Sequence, residues 1–138
     1  MNDRQGRKMV RKLEKLRSSR LTIAELQLAG SRAARDEAVR AAQDAQTAFE
    51  ESVVRSKEQY RDLDQQLQSI ASLRRETLYE WQTERKKVGA GVQAARNHAD
   101  ETQRQQQQQE EALEKAKEKQ RTANLDVERT RMMLEKMP

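Results

Sequence analysis

The chain contains almost none of the residues that break helices. No glycine or proline occurs between Gly30 and Gly89, and the single proline, Pro138, is the last of the 138 residues. The sequence is built mostly from Ala, Leu, Glu, Gln, Lys and Arg, which have the highest helix propensities. It therefore predicts one or two very long helices, with function on the helix surface rather than in a pocket.

The composition favours a coiled coil over a globular domain or a disordered chain. Only 34% of the residues are hydrophobic and 37% are charged, so a sizeable globular core is excluded. Disordered chains usually carry more Pro, Gly and Ser, whereas Ala, Glu, Lys, Leu and Arg at helical periodicity indicate a coiled coil. There is no cysteine, so neither a disulfide nor a thiolate metal site is expected.

The sequence also predicts where the protein is found. It has no run of about 18 apolar residues that would span a membrane. Its first residues, MNDRQGRKMVRK, lack the apolar segment of a secretory signal. We therefore expect no membrane span and a cytoplasmic location.

Apolar residues at alternating spacings of three and four predict the seam between helices. The first such stripe consists of Met9, Leu13, Leu16 and Ile23, reinforced by Leu26. It turns to alanine between Ala33 and Ala48, which predicts a thin and easily opened stretch. A second frame runs through Phe49, Val53, Ser56, Tyr60, Leu63, Leu67 and Ile70. The third consists of Ala112, Ala116, Ala123, Val127, Leu134 and Met137, with Leu113 and Leu125 beside it.

One straight helix of this length would be about 200 Å long and would leave its stripe unburied. We therefore predict an all-α fold, a long two-helix antiparallel coiled-coil hairpin that forms a single domain over residues 1–138. Helix 1 is expected at about 5–60 and helix 2 at about 66–136, with the turn within 54–72. Reversal near residue 70 pairs Leu13 with Val127, Leu26 with the Leu113 region, and Ala33–Ala48 with Ala94, Ala95 and Ala99.

Two positions for the turn remain open. One lies before Ser56, where Ser56-Lys57-Glu58-Gln59 matches a capping box, and the other is Gln68–Ser72. The glycines Gly89 and Gly91 give a worse hairpin, because reversal there leaves the Leu-rich N-terminal stripe without a partner. We interpret Val88–Val92 as a flexible point inside helix 2.

Positive charge is concentrated at the N-terminus. Residues 1–20 hold eight Lys or Arg against two acidic residues, a net charge of +6, so the other 118 residues sum to −1. This distribution predicts a basic end that binds an acidic partner, and the alternative is a merely solvated helix face. The candidate partner-binding residues at this end are Arg7, Lys8, Arg11, Lys12 and Lys15.

The aromatic residues form the second candidate site, at the tip of the predicted hairpin. Phe49, Tyr60 and Trp81 share the heptad frame, which favours packing in the core near the turn. Tyr79 lies off that frame and is the best candidate for an exposed contact. Because aromatic side chains are enriched at interfaces, all four are candidate partner-binding residues.

No residues assemble into a site for chemistry. His98 is the only histidine, so neither a His pair nor a Ser/His arrangement can form. Gly89-Ala90-Gly91 lacks the strand and the third glycine of a phosphate-binding loop. We expect neither catalysis nor a metal or other cofactor.

Two short stretches carry a resemblance to a known family. Arg11-Lys12-Leu13-Glu14-Lys15-Leu16-Arg17 is similar to the basic, leucine-containing start of YscO-type proteins, and Ile70-Ala71-Ser72-Leu73-Arg74 resembles a segment early in their second helix. The chain thus resembles the central stalk proteins of type III secretion systems, the YscO and FliJ group. The whole chain shares the size and helical pattern of this family, but only these two stretches share its sequence motifs.

The resemblance implies a two-helix antiparallel coiled coil that inserts into the hexameric secretion ATPase, stimulates it and links it to the export gate. It also implies binding to export chaperones and a place at the cytoplasmic face of the secretion apparatus. A free monomeric hairpin without specific nucleic-acid binding is expected. The alternatives are a structural or scaffolding parallel dimeric coiled coil, and a basic nucleic-acid-associated helical protein.

Overall fold

A computed structural model describes residues 3–70, 72 and 74–137, almost all of them in two helices. Helix α1 spans Asp3–Gln68 and helix α2 spans Arg75–Lys136. The described part of the chain contains no strand, and the two helices pack against each other as an all-α helical hairpin. The fold class predicted from the scarcity of helix breakers is confirmed.

The chain leaves α1 only after Gln68. The last turn of α1 is closed by hydrogen bonds from the Ser69 amide to the Gln65 carbonyl and from the Ile70 amide to the Leu67 carbonyl. A turn before Ser56 is therefore wrong, since Ser56 is a buried residue inside α1 whose hydroxyl donates to the Val53 carbonyl. Within the candidate turn Gln68–Ser72 and the family-like segment 70–74, Ala71 and Leu73 lie outside the described residues.

The interhelical contacts group the chain into two compact units. Unit 1 combines Met1–Glu37 with Gln107–Pro138, and unit 2 is the continuous segment Ala38–Gln106. In each unit a stretch of α1 runs antiparallel to a stretch of α2. Each unit therefore has a seam of its own between the two helices.

The seam of unit 1 is a regular heptad that includes polar residues. At spacings of three and four, every member of both helices is buried or half-buried. On α1 these members are Val10, Glu14, Arg17, Leu21, Ala24, Leu28, Ser31 and Arg35. On α2 they are Gln109, Leu113, Ala116, Gln120, Ala123, Val127, Thr130 and Leu134, and Met137 follows directly after the helix.

This seam corrects the predicted N-terminal stripe. Met9, Leu16 and Ile23 are each about half exposed, and Leu26 is 69% exposed, so Leu28 rather than Leu26 packs with Leu113 and Ala116. The predicted C-terminal stripe needs the same correction, because Leu113 is buried whereas Ala112 and Leu125 are exposed. The prediction followed apolar residues alone, while the actual seam also passes through polar side chains, of which Arg17 and Thr130 pair with each other.

One such polar layer lies in the middle of unit 1. Arg17 Nη1 donates to Thr130 Oγ1 at 2.7 Å and to the Asp126 carbonyl at 3.2 Å, and the Thr130 hydroxyl donates to the same carbonyl. Thr130 has no exposed surface. Because each of these groups has a partner, Arg17 occupies a seam position without leaving a buried polar group unsatisfied.

A second polar layer of unit 1 surrounds Arg35. Its Nε donates to Asp36 Oδ1 at 2.7 Å, and its Nη1 lies 3.7 Å from Glu110 Oε2. The hydrogen bond to Asp36 raises the pKa of the Arg35 guanidinium above its ordinary value. Arg35 therefore stays charged and connects α1 to α2.

The seam of unit 2 continues the heptad with smaller residues. On α1 its members are Ala38, Ala42, Ala45, Phe49, Ser52 and Ser56, then Tyr60, Leu63 and Leu67 after one extra residue. On α2 they are Trp81, Arg85, Val88, Val92, Ala95, Ala99, Thr102 and Gln106. The fully buried members are Ala45, Ser56, Ala99 and Thr102, so the centre of unit 2 contains no large side chain that is fully buried.

Candidate functional site

The five basic residues predicted at the N-terminal end are all exposed on α1. We call Arg7, Lys8, Arg11, Lys12 and Lys15 the basic face. Lys8, Arg11 and Lys15 follow one another at spacings of three and four, so they project from one side of the helix. α1 therefore presents them together, away from the seam.

Four residues of the basic face have no partner within the described part of the chain. Lys8, Arg11, Lys12 and Lys15 make neither a hydrogen bond nor an ion pair there, whereas Lys87, Arg104, Lys117 and Arg121 each pair with a glutamate three residues earlier. The cause lies in the sequence, because the only acidic residues in 1–20 are Asp3 and Glu14, and Glu14 is half-buried in the seam. The charge of these four residues is therefore uncompensated within the described part of the chain.

The whole net charge of the protein belongs to unit 1. Unit 1 holds 17 Lys and Arg against 12 Asp and Glu, which gives +5, and unit 2 holds 11 against 11, which gives zero. Uncompensated charge of one sign raises the local concentration of oppositely charged partners and accelerates their association. Within unit 1, Lys8, Arg11, Lys12 and Lys15 concentrate such charge on one stretch of α1.

Two of the four predicted aromatic residues meet in unit 2 around an arginine. The guanidinium carbon of Arg85 lies 4.5 Å from the centre of the Tyr60 ring and 5.2 Å from that of Trp81, both within cation–π range. Arg85 Nη1 donates to Asp64 Oδ1 at 2.7 Å, and Trp81 Nε1 donates to the same oxygen at 3.2 Å. We call Tyr60, Asp64, Trp81 and Arg85 the aromatic cluster.

Gly89 packs closely against this cluster. A Cβ atom at Gly89 would lie 3.2 Å from Tyr60 Oη, closer than an ordinary van der Waals contact. At Gly91, in contrast, a Cβ atom would have no such neighbour within 4 Å. Gly89 is thus a close-packing position beside the Tyr60 hydroxyl, while Gly91 faces open space.

The other two predicted aromatic residues lie apart from the cluster. Phe49 is half-buried in the seam, eleven residues before Tyr60 and so about 16 Å away along α1. Tyr79 is 70% exposed. The sequence prediction missed Asp64 and Arg85, although Tyr60/Asp64 and Trp81/Arg85 are both pairs at the i, i+4 spacing that puts side chains side by side on a helix.

Neither surface has the groups of a reaction centre. The aromatic cluster holds one carboxylate that is already bonded to an indole and a guanidinium, and the basic face holds only cations. Among the described residues, no group of His, Cys, Asp and Glu side chains is placed to hold a metal ion. Neither described helix has an apolar stretch long enough to cross a bilayer. Both surfaces are suited to contacts with macromolecules.

Comparisons with known proteins give no relative, since no family model, curated protein or solved structure matches the chain. The fold and its two surfaces define the class of the protein as a helical hairpin with a coiled-coil seam.

Proposed function

We propose that the protein is the non-enzymatic central stalk of a bacterial type III secretion apparatus. In this role it inserts into the hexameric secretion ATPase, stimulates it and links it to the export gate, at the cytoplasmic face of the apparatus. Binding of export chaperones belongs to the same proposal. Its sequence basis is the likeness of residues 11–17 and 70–74 to YscO-type stalks.

The observation that carries the proposal is a set of four cations, Lys8, Arg11, Lys12 and Lys15, that have no partner among the described residues and are exposed on a helical hairpin. A stalk inside a ring needs electrostatic contacts that are weak enough to let it rotate. Exposed cations that face acidic or carbonyl-rich loops provide such contacts. Lys8, Arg11, Lys12 and Lys15 have no competing partner among the described residues, so they are available for such loops. Arg7 extends the same face.

The seam supports a role without chemistry of its own. Two paired helices with satisfied polar layers, such as Arg17–Thr130, form a surface rather than a substrate pocket. Because a coiled coil holds its exposed side chains at fixed spacings, it can present one row of charges to a repeated set of loops.

Affinity capture from a lysate of the secreting bacterium tests the proposal. The tagged full-length chain is expected to recover the hexameric secretion ATPase or an export-gate protein, identified by mass spectrometry. Recovery should fall when the four unpaired cations of the basic face are replaced by glutamine. Recovery of nucleic acid alone, with neither protein present, would overturn the proposal and favour a nucleic-acid-associated helix.

The matched control is the variant K87Q/R104Q/K117Q/R121Q. It removes the same number of positive charges from three exposed helix positions and the half-buried Lys117, but these cations already have glutamate partners. It should recover the ATPase as the native chain does. Equal loss in both variants would show that total charge, and not the basic face, governs capture.

A further inference from the structure

Unit 1 carries large apolar side chains that nothing in the described chain covers. Seven exposed large hydrophobic residues of the protein belong to unit 1: Met9, Leu16, Ile23, Leu26, Leu125, Met132 and Met133. Six of them are close to half exposed, and Leu26 is the most exposed of the seven. Such clustering on a protein surface marks a contact site when the residues share one side of the molecule.

Three of these residues form a line along α1. Met9, Leu16 and Ile23 are seven residues apart, so they recur on the same side of the helix and extend over about 21 Å. The line lies beside the seam and not in it. Leu26 falls outside the line.

The line borders a groove between the two helices of unit 1. Ile23, Ala24 and Gln27 of α1 form one wall, and Thr122 and Ala123 of α2 belong to the other. The groove has a volume of about 510 Å³ and a mainly apolar surface. Ile23 thus places the α1 line on the same side of the unit as this groove.

One further exposed apolar residue continues the α2 wall. Asp126 lines the groove, and Met133 follows Asp126 by seven residues. Equal heptad positions lie on the same side of a helix, whereas Leu125 and Met132 lie midway between seam residues and so on the side of α2 opposite the seam. We call Met9, Leu16, Ile23 and Met133 the apolar flank.

The chemistry of the apolar flank fits a helix. Apolar anchors at heptad spacing beside a groove match the apolar stripe of an amphipathic helix, which recurs at the same spacing. Two of the four residues are methionines, whose flexible thioethers adapt to a partner side chain. A third helix laid in the groove would cover the line on α1 and the wall on α2 together.

The charges around the groove select the partner. The lining contains four cations, Arg17, Arg20, Lys115 and Lys119, against two carboxylates, Glu118 and Asp126. A second copy of the chain would bring the same net positive lining against it, and like charges across an interface are unfavourable. A partner helix with acidic residues beside its apolar stripe would instead place negative charges against this net positive lining.

We propose that the apolar flank of unit 1 is the docking site for an amphipathic α-helix of another protein, with acidic residues on both sides of its apolar stripe. This goes beyond the stalk proposal and does not depend on it. It assigns a binding role to residues that the heptad seam leaves exposed.

A pair of synthetic peptides tests the proposal on the full-length protein. Both have three heptads with leucine at positions a and d, and they differ only at e and g, which are glutamate in one peptide and lysine in the other. By fluorescence anisotropy of the labelled peptides, the glutamate peptide should bind at least tenfold more tightly. Equal binding of the two, or preference for lysine, would overturn the proposal.

Paired variants locate the site. L16S/I23S should weaken binding of the glutamate peptide at least tenfold, while the control L26S/V54S, which alters two other exposed apolar helix positions, should leave it unchanged. Equal effects of both variants would overturn the assignment to the apolar flank. Light scattering gives a second test of the assignment. If the native protein is a dimer and L16S/I23S is a monomer, a second copy of the chain covers the flank, and the proposal is overturned.

Discussion

Unit 1 and unit 2 use the same antiparallel heptad seam for different purposes. Unit 1 buries large side chains such as Leu113 and Val127, carries the whole net charge of +5 and exposes an apolar flank. Unit 2 is electrically neutral, buries Ala45 and Ala99 at its centre, and is joined by the aromatic cluster. The difference separates a unit with large buried side chains and a net positive charge from a neutral unit held together by a local polar and aromatic cluster.

The energetic basis of the two units differs accordingly. A buried leucine contributes about 2 kcal/mol of hydrophobic free energy relative to an exposed one, while an alanine contributes much less. Unit 2 therefore depends more on the contacts of Arg85 with Tyr60, Trp81 and Asp64. Substitutions in the two units should separate these contributions.

The largest expected effect is in the core of unit 1. Leu113 is 2% exposed and packs with Leu28 and Ala116, so L113A should lower the free energy of unfolding by about 2–4 kcal/mol. L125A, the same change at a half-exposed position of α2, should cost well under about 1 kcal/mol. Urea unfolding followed by circular dichroism measures both losses. Equal losses of stability in L113A and L125A would contradict the assignment of Leu113 to the seam and of Leu125 to the surface.

The next effect is in the aromatic cluster of unit 2. R85A removes two cation–π contacts and the bond to Asp64, and should lower the free energy of unfolding by about 1–2 kcal/mol. The control K87A breaks only the exposed pair with Glu84 and should cost about 0.5 kcal/mol or less. Trp81 fluorescence during urea unfolding reports on unit 2 directly. A loss for R85A no greater than for K87A would contradict the stabilising role of the cluster.

The glycines of α2 give a smaller effect of opposite sign. G91A should raise the free energy of unfolding by about 1 kcal/mol, because alanine favours the helix and the added methyl group points into open space. G89A should gain less or lose stability, since its methyl group meets Tyr60 Oη at 3.2 Å.

The double variant Y60F/G89A separates the contact from the helix propensity. Removing the Tyr60 hydroxyl should restore the gain from alanine, relative to Y60F alone. Thermal unfolding of the native protein, the two single variants and the double variant measures this difference. Identical gains at Gly89 and Gly91 would show that the Tyr60 hydroxyl does not restrict Gly89.

The smallest effect on stability is expected at the basic face. K8Q/R11Q/K12Q/K15Q should change the free energy of unfolding by about 0.5 kcal/mol or less, because the four cations are exposed and make neither a hydrogen bond nor an ion pair within the described chain. Urea unfolding checks this. A large loss would mean that these residues stabilise unit 1 and are not reserved for a partner.

The hairpin was predictable because the absence of helix breakers and the need to bury one stripe leave few other folds. The α1 seam was not, since the spacing of three and four also fits the apolar residues Met9, Leu16 and Ile23, with Leu26 beside them, and an arginine such as Arg17 gives no apolar signal of a seam position. Its pairing with Thr130 depends on the register of the two helices, which sequence spacing alone does not determine.

The basic face was predictable from charge counting, but its lack of partners was not, because that depends on Glu14 lying in the seam. For the aromatic cluster, the sequence identified Tyr60 and Trp81. Asp64 and Arg85 join them only through the antiparallel register of unit 2.

The stimulation of the purified hexameric secretion ATPase by the full-length protein tests the central proposal most directly. We expect the native chain and the control K87Q/R104Q/K117Q/R121Q to raise the rate of ATP hydrolysis equally. K8Q/R11Q/K12Q/K15Q, although folded, should lose at least tenfold in apparent affinity for the ATPase. Undiminished stimulation by this variant, or no stimulation by the native chain, would contradict the account.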